Sequence, residues 1–119
     1  MTINERIESA LSSVVSNIWA LSCPIEQAPD EYIVYNPEAE RVEVYADDED
    51  IGWIDDMQIH YFVKNHGESK KPVNYLRKKD QICNSLRAAE FLLNDISVFF
   101  EKESGYTHVV FSVSTEHER

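Results

Sequence analysis

The 119-residue sequence predicts an α+β fold: an antiparallel sheet in the order α-β-β-β-α-β-β, with two helices packed on one face. Three observations predict it. Apolar residues recur at helical spacing in two stretches, one near the N-terminus and one over residues 71–94. Three segments between those stretches, and two after them, either alternate apolar with polar residues or are β-branched and aromatic. Strands that run in succession, interrupted by a single helix, place helices on one side of an antiparallel sheet.

The first helix is marked by Ile3, Ile7, Ala10, Leu11, Val14, Ile18 and Leu21, which keep to one face. Thr2 and Glu5 form the S/T-x-x-E pattern, in which each side chain satisfies an open amide at the helix start. Pro24 stops this helix soon after Leu21, and Pro29 keeps the next stretch extended. Tyr32-Ile33-Val34-Tyr35 reads as the first strand, ended by a turn at Asn36-Pro37. Val42, Val44 and Ala46 alternate with Arg41, Glu43 and Tyr45 in the second, and Met57, Ile59, Tyr61 and Val63 with Gln58, His60 and Phe62 in the third. An acidic loop, Asp47-Asp48-Glu49-Asp50-Ile51-Gly52-Trp53, separates the last two.

The second helix is expected from about Lys71 to Asn94, with Pro72 in its first turn, where a missing amide costs nothing. Tyr75, Ile82, Leu86, Ala89 and Leu93 form its apolar stripe. Arg77, Asp80, Asn84 and Arg87 point outward, and Lys78 and Lys79 fall nearer the stripe, where long stems lie on apolar surface. The chain closes with a hairpin: Ile96 to Glu101, a turn at Glu103-Ser104-Gly105, then Tyr106 to Thr115. Ile96, Val98 and Phe100 alternate in the first arm and Val109, Phe111 and Val113 in the second, with His108 facing away from Val109 and Phe111, and Gly105 supplies the positive φ.

Length and composition confine the functional reading. One domain, 1–119, is expected, able to bury a core without metal or disulfide staples. The longest apolar runs are four residues, Ile18–Leu21 and Tyr32–Tyr35, against the roughly 20 that a membrane helix needs. Residues Met1 to Glu5 lack the basic start of a secretion signal. Eleven Lys and Arg against 22 Asp and Glu leave a formal charge of −11, the wrong sign for specific nucleic-acid binding. Cys23 and Cys83, far apart and without CxxC spacing, read as reduced thiols.

Catalytic and metal signatures are weak. His60, His66, His108 and His117 show no HxH or HxxxH spacing and no nearby Cys, so a zinc site is not expected. Asp48-x-Asp50-x-Gly52 lacks the third acid and the distal Glu of a calcium loop. There is no GxSxG, P-loop or GxGxxG. Cys83 beside an apolar helix stripe reads as core rather than nucleophile. No enzyme and no cofactor is expected.

Charge is distributed unevenly. Residues 30–56 hold eleven of the 22 acids and one base, Arg41, a segment charge of −10. Residues 64–87 hold seven of the eleven bases and two acids, Glu68 and Asp80, for +5. Such blocks read either as two solvated faces or as an interface, an acidic loop of one copy meeting a basic helix of the next in a head-to-tail contact. The candidate interface residues are Asp47, Asp48, Glu49, Asp50 and Trp53 on one side and Arg77, Lys78, Lys79 and Arg87 on the other. Trp19 and Trp53 suit partial core burial or a partner contact, and Tyr45 and Phe62 fall on the sheet face opposite the core.

The runs Tyr32 to Tyr35, Val42 to Glu49 and Met57 to Lys64, with Tyr75-Leu76, Ile82 to Leu93 and Phe100-Glu101-x-x-x-Gly105-Tyr106-x-His108, resemble tail completion proteins of long-tailed bacteriophages. These are also called tail terminators or tail-to-head joining proteins. The resemblance covers residues 30–115 by order of elements, and it departs in lacking a Gly near the end of the second helix. It implies a virion protein at the tail-head junction, present in the host cytoplasm during assembly. It further implies a ring, typically a hexamer, that ends tail-tube polymerisation and presents a surface to the head completion or connector protein, without catalysis. Six copies would multiply a formal charge of −11 sixfold, so neighbours need opposite-sign contacts. The rival reading is an acidic DNA mimic inhibiting a host nuclease or restriction enzyme, which would spread acids along a whole face. A small hydrolase or isomerase ranks third.

Overall fold

The computed structural model describes residues 1–24, 26, 28–44, 51–65 and 75–117. The elements are α1 (Ile3–Leu11), β1 (Ile18–Ala20), β2 (Glu31–Val44), β3 (Ile51–Lys64), α2 (Tyr75–Ala88), β4 (Leu92–Glu101) and β5 (Tyr106–His117). Five strands form one sheet in the order β1-β2-β3-β5-β4. Every pairing is antiparallel except β1 with β2. The α+β class and the order of elements agree with expectation, although one strand is new and two expected strands are one.

Helix α1 opens on the expected capping box: Glu5 N–H donates to Thr2 Oγ1 at 3.1 Å and Thr2 N–H to Glu5 Oε1 at 3.3 Å. It ends at Leu11, ten residues short of Leu21. Ser12, Ser13, Ser16 and Asn17 compete for backbone hydrogen bonds, and Val14 and Val15 are stiff at χ1, so helix is poorly supported there. The amides of Val14 and Val15 close on Leu11 O, and Val15 remains in the core. Ile18 to Ala20 then pair with Ile33 to Tyr35 as β1. Leu21 leaves β1 at φ 70°, exposed.

Strand β2 absorbs the two strands expected at 32–35 and 41–46. Asn36-Pro37 is not a turn: Pro37 lies opposite Met57, and the register shifts by one residue between Pro37 and Ala39. Strand β1 reaches only to Tyr35, so Pro37 lies on the sheet edge beside a bulge, where a missing amide is tolerated. Val42 is 52% exposed, so the half-buried alternation expected for that segment is not the one formed. Ala46 and Tyr45 lie outside the described residues. The paired β2 and β3 make a long arm, and the molecule measures 60 × 24 × 24 Å.

Helix α2 ends at Ala88, six residues before Asn94. Glu90 takes φ 68°, with Phe91 N–H on Leu86 O at 2.9 Å and Glu90 N–H on Arg87 O at 3.0 Å. This left-handed cap is usually glycine, and here a glutamate adopts it. Arg6 of α1 supplies the rest of the cap. Its Nη2 donates to Ala89 O at 2.9 Å and to Thr115 Oγ1 at 3.0 Å, and its guanidinium lies 4.8 Å from the Phe91 ring centroid.

Both helices cover one face of the sheet. Ile7, Leu11, Ile82 and Leu86 meet Ile33, Ile59, Tyr61, Val109 and Phe111, each fully buried. Buried Tyr61 donates its hydroxyl to Glu31 Oε2 at 2.6 Å. The hairpin β4–β5 turns at Gly105, φ 76°, with a register shift between Leu93 and Asp95. Val98 and Phe100, on the alternation expected to bury, are 36% and 57% exposed because β4 is the sheet edge. Cys83 is buried, and Cys23 and Cys83 are not joined in a disulfide.

Candidate assembly interface

The sequence-predicted interface residues fall in three places. Asp47, Asp48, Glu49 and Asp50 lie outside the described residues, between the paired ends Val44 and Ile51 of the arm. Trp53 is half-buried on the arm, opposite Val42 in β2 and His117 in β5. Arg77 and Arg87 are exposed on α2, and Lys79 is half-buried. Lys78 is committed within the subunit, donating to Val14 O at 2.7 Å and lying 3.9 Å from Glu31 Oε1. Arg77, Lys79 and Arg87 make no ion pair with another described residue.

The acidic arm has its own fastening. Arg41 holds Asp56 through two bonds of 2.7 and 3.0 Å, Ser114 Oγ donates to Asp56 Oδ1 at 2.5 Å, and Asn94 Nδ2 donates to Ser114 Oγ at 2.6 Å. This polar row crosses four strands. The Arg41 guanidinium and the Ser114 hydroxyl hold the Asp56 carboxyl below its ordinary range.

The helix-free face carries a feature that the sequence reading reached only in part, through Phe62 and the placement of His60 and His108 on polar faces. Strand register aligns Tyr32, Phe62, His108 and Phe99 across β2, β3, β5 and β4. Tyr32 and Phe62 stack at 4.7 Å between centroids, Phe62 and His108 at 4.1 Å, and His108 and Phe99 tilt at 5.9 Å. Trp19 on β1 adds a fifth ring, 6.2 Å from Tyr32. Tyr106 stands edge-on to Tyr32 and Phe62, its hydroxyl donating to Pro29 O at 2.8 Å. The row thus spans all five strands and ends at Phe99, 52% exposed. Burial pushes the Tyr32 phenol up to about 12. The missed signal was the recurrence of rings at the outward parity of four strands, which needs the register to become a row.

A short polar chain borders this row. His60 Nδ1 and His108 Nε2 are 2.8 Å apart, Gln58 Oε1 is 3.2 Å from His60 Nε2, and Glu101 Oε2 is 3.3 Å from His108 Nδ1. With both rings neutral, His108 Nδ1–H donates to Glu101 Oε2 and His60 Nδ1–H to His108 Nε2, which leaves His60 Nε2 without a proton to give Gln58 Oε1. A protonated His60 donates its added Nε2–H to Gln58 Oε1. Burial holds both imidazoles below their ordinary value; His108 further opposes charging of His60, while Glu101 partly offsets the shift at His108. Among the described residues, no group of three or more His, Cys, Asp or Glu is placed to hold a metal ion. The chain can share a proton and rigidify the face. Cys83, whose thiol burial pushes up, is a poor nucleophile.

No protein-family model and no curated protein matches the sequence. Among solved structures, a chain described as "Virion of native gene transfer agent (GTA) particle" is similar, with a TM-score of 0.57 and 9% sequence identity, over 98% of this chain and 95% of that one. At that identity the two chains share a fold, along nearly the full length of both.

Proposed function

We propose that the chain is a structural subunit of a phage or prophage particle that forms a ring on the end of the tail tube, stops tube polymerisation and presents the head-joining surface. The full-length likeness to a virion chain carries this reading. Two features of the subunit support it. Residues with opposite charge lie mainly on different elements, the acids along the β2–β3 arm and the cations Arg77, Lys79 and Arg87 on α2, and among the described residues the one ion pair that joins the two blocks is Lys78 with Glu31. The sheet is open at both edges, which lets copies add side by side. A surplus of carboxylate around a ring would keep passing DNA from adhering. The partners are other copies of the chain, the tail tube protein and the head connector, and the role involves no catalysis.

A DNA mimic would present carboxylates along one whole face. The helix-free face instead presents rings, and the acids concentrate on the arm, which favours assembly. Electron microscopy of particles produced without this gene tests the proposal. Tubes of uncontrolled length, detached from heads, support it; normal virions overturn it.

A further inference from the structure

Two surfaces at opposite edges of the sheet complement one another. On the β4 edge, Phe100 is 57% and Leu76 55% exposed. Phe100 lies opposite core-facing Thr107, so it points into the helix layer rather than the ring-bearing face. Tyr75 stands edge-on to Phe100 at 6.1 Å, which sets the first turn of α2 beside that strand. Lys78 turns toward the segment that follows α1, donating to Val14 O. At about 100° per residue, Leu76 therefore lies on the opposite flank of α2, with Arg77 on the solvent side between them.

The β1 edge carries a cleft of about 580 Å³ between the start of α1 and strand β2. Tyr35, Pro37 and Met57 line it, and Leu21, 69% exposed, forms a wall. Glu38 and Glu40 stand among its lining residues. Tyr35 and Met57 are core-side residues, so this cleft also opens in the helix layer.

We infer that Phe100 and Leu76 of one copy enter the Leu21–Pro37 cleft of a second copy, with Arg77 against Glu38. The inference rests on the ring reading and adds which edges meet. Three points select a second copy as the occupant. The knob and the cleft sit at the two ends of one sheet order, so a single molecule cannot join them. Both lie in the same layer, so neighbours set edge to edge bring them to the same level above the sheet. The knob is flanked by a cation and the cleft by carboxylates. Such a contact is heterologous and leaves each copy with one knob and one cleft to pass on, the geometry that closes rings.

The test uses the full chain with the photoreactive residue benzoylphenylalanine in place of Phe100, alone and with purified tail tubes. Irradiation is expected to give chain-to-chain adducts at Leu21 or Pro37–Glu40. Phe100→Asp and Arg77→Glu are each expected to weaken self-association about tenfold, with far-UV circular dichroism unchanged because both side chains are exposed. Glu38→Arg is expected to restore association to the Arg77→Glu variant. Adducts elsewhere, or full association by Phe100→Asp, overturn this contact while self-association itself leaves the ring reading standing. A chain that remains monomeric both alone and with tubes overturns both.

Discussion

Arg6 is expected to be the single most costly charged residue to remove. Replacing it by Ala deletes the donors to Ala89 O and Thr115 Oγ1 and the cation above the Phe91 ring. Hydrogen bonds from a charged donor contribute about 1.5–3 kcal/mol, and a partly exposed cation–π contact about 0.5–1 kcal/mol. Both bonds leave one nitrogen and part of the loss is recovered by water, so the expected destabilisation is about 2–4 kcal/mol. In urea, with a slope of about 2 kcal/mol per molar, the midpoint falls by about 1–2 M. Arg6→Lys should recover less than half, because an ammonium lacks the planar fork that serves a carbonyl, a hydroxyl and a ring together. A double-mutant cycle with Thr115→Val should give a coupling of about 1 kcal/mol. A loss below about 0.5 kcal/mol for Arg6→Ala, with the urea slope unchanged, would refute the reasoning.

Further expectations follow from the same contacts. Glu90→Gly should raise stability by up to about 1 kcal/mol, since the left-handed cap favours glycine and the Thr115 bond uses the backbone oxygen; a lower urea midpoint would count against it. His60 and His108 are held below their unfolded values, so the unfolded chain binds protons first as pH falls. Stability should therefore be full above about pH 6.5 and decline as pH falls through the folded values, which unfolding curves from pH 7.5 to 5 will read. Glu101→Gln should lower the His108 titration further, visible by NMR of its ring protons, because the offsetting carboxylate is gone. Lys78→Glu should cost about 1–3 kcal/mol by placing a carboxylate against Val14 O, whereas Arg77→Glu should leave the unfolding free energy within about 0.5 kcal/mol of the parent.

The core of the sheet was readable from alternation alone: Met57, Ile59, Tyr61 and Val63, and Val109, Phe111 and Val113, all lie buried as the period of two requires. The elements that escaped are those where tertiary pairing outweighed local pattern. Val14, Ile18 and Leu21 continue the helical spacing of α1 by coincidence, and only an open strand edge at Ile33 to Tyr35 explains why Ile18 to Ala20 leave the helix. Asn36-Pro37 has turn chemistry, yet an edge position beside a bulge accommodates it within β2. The end of α2 carried no glycine to mark it, and Glu90 takes the conformation because Arg6, from far along the chain, completes the cap. Of the candidate interface, Arg77 and Arg87 were legible as outward positions and Lys78 and Lys79 as nearer the stripe, but that Lys78 is bound within the subunit needed the position of Val14. The five-ring row is invisible until register is known.

The reach of Arg6 also bears on synthesis. Its partners Ala89 and Thr115 lie 83 and 109 residues downstream, so the N-terminal helix emerges from the ribosome long before the groups that fasten it. Until the closing strand has been translated, α1 lacks the bonds of Arg6 to Ala89 and Thr115. A nascent chain therefore holds its first helix by the apolar face alone until the last strand is complete.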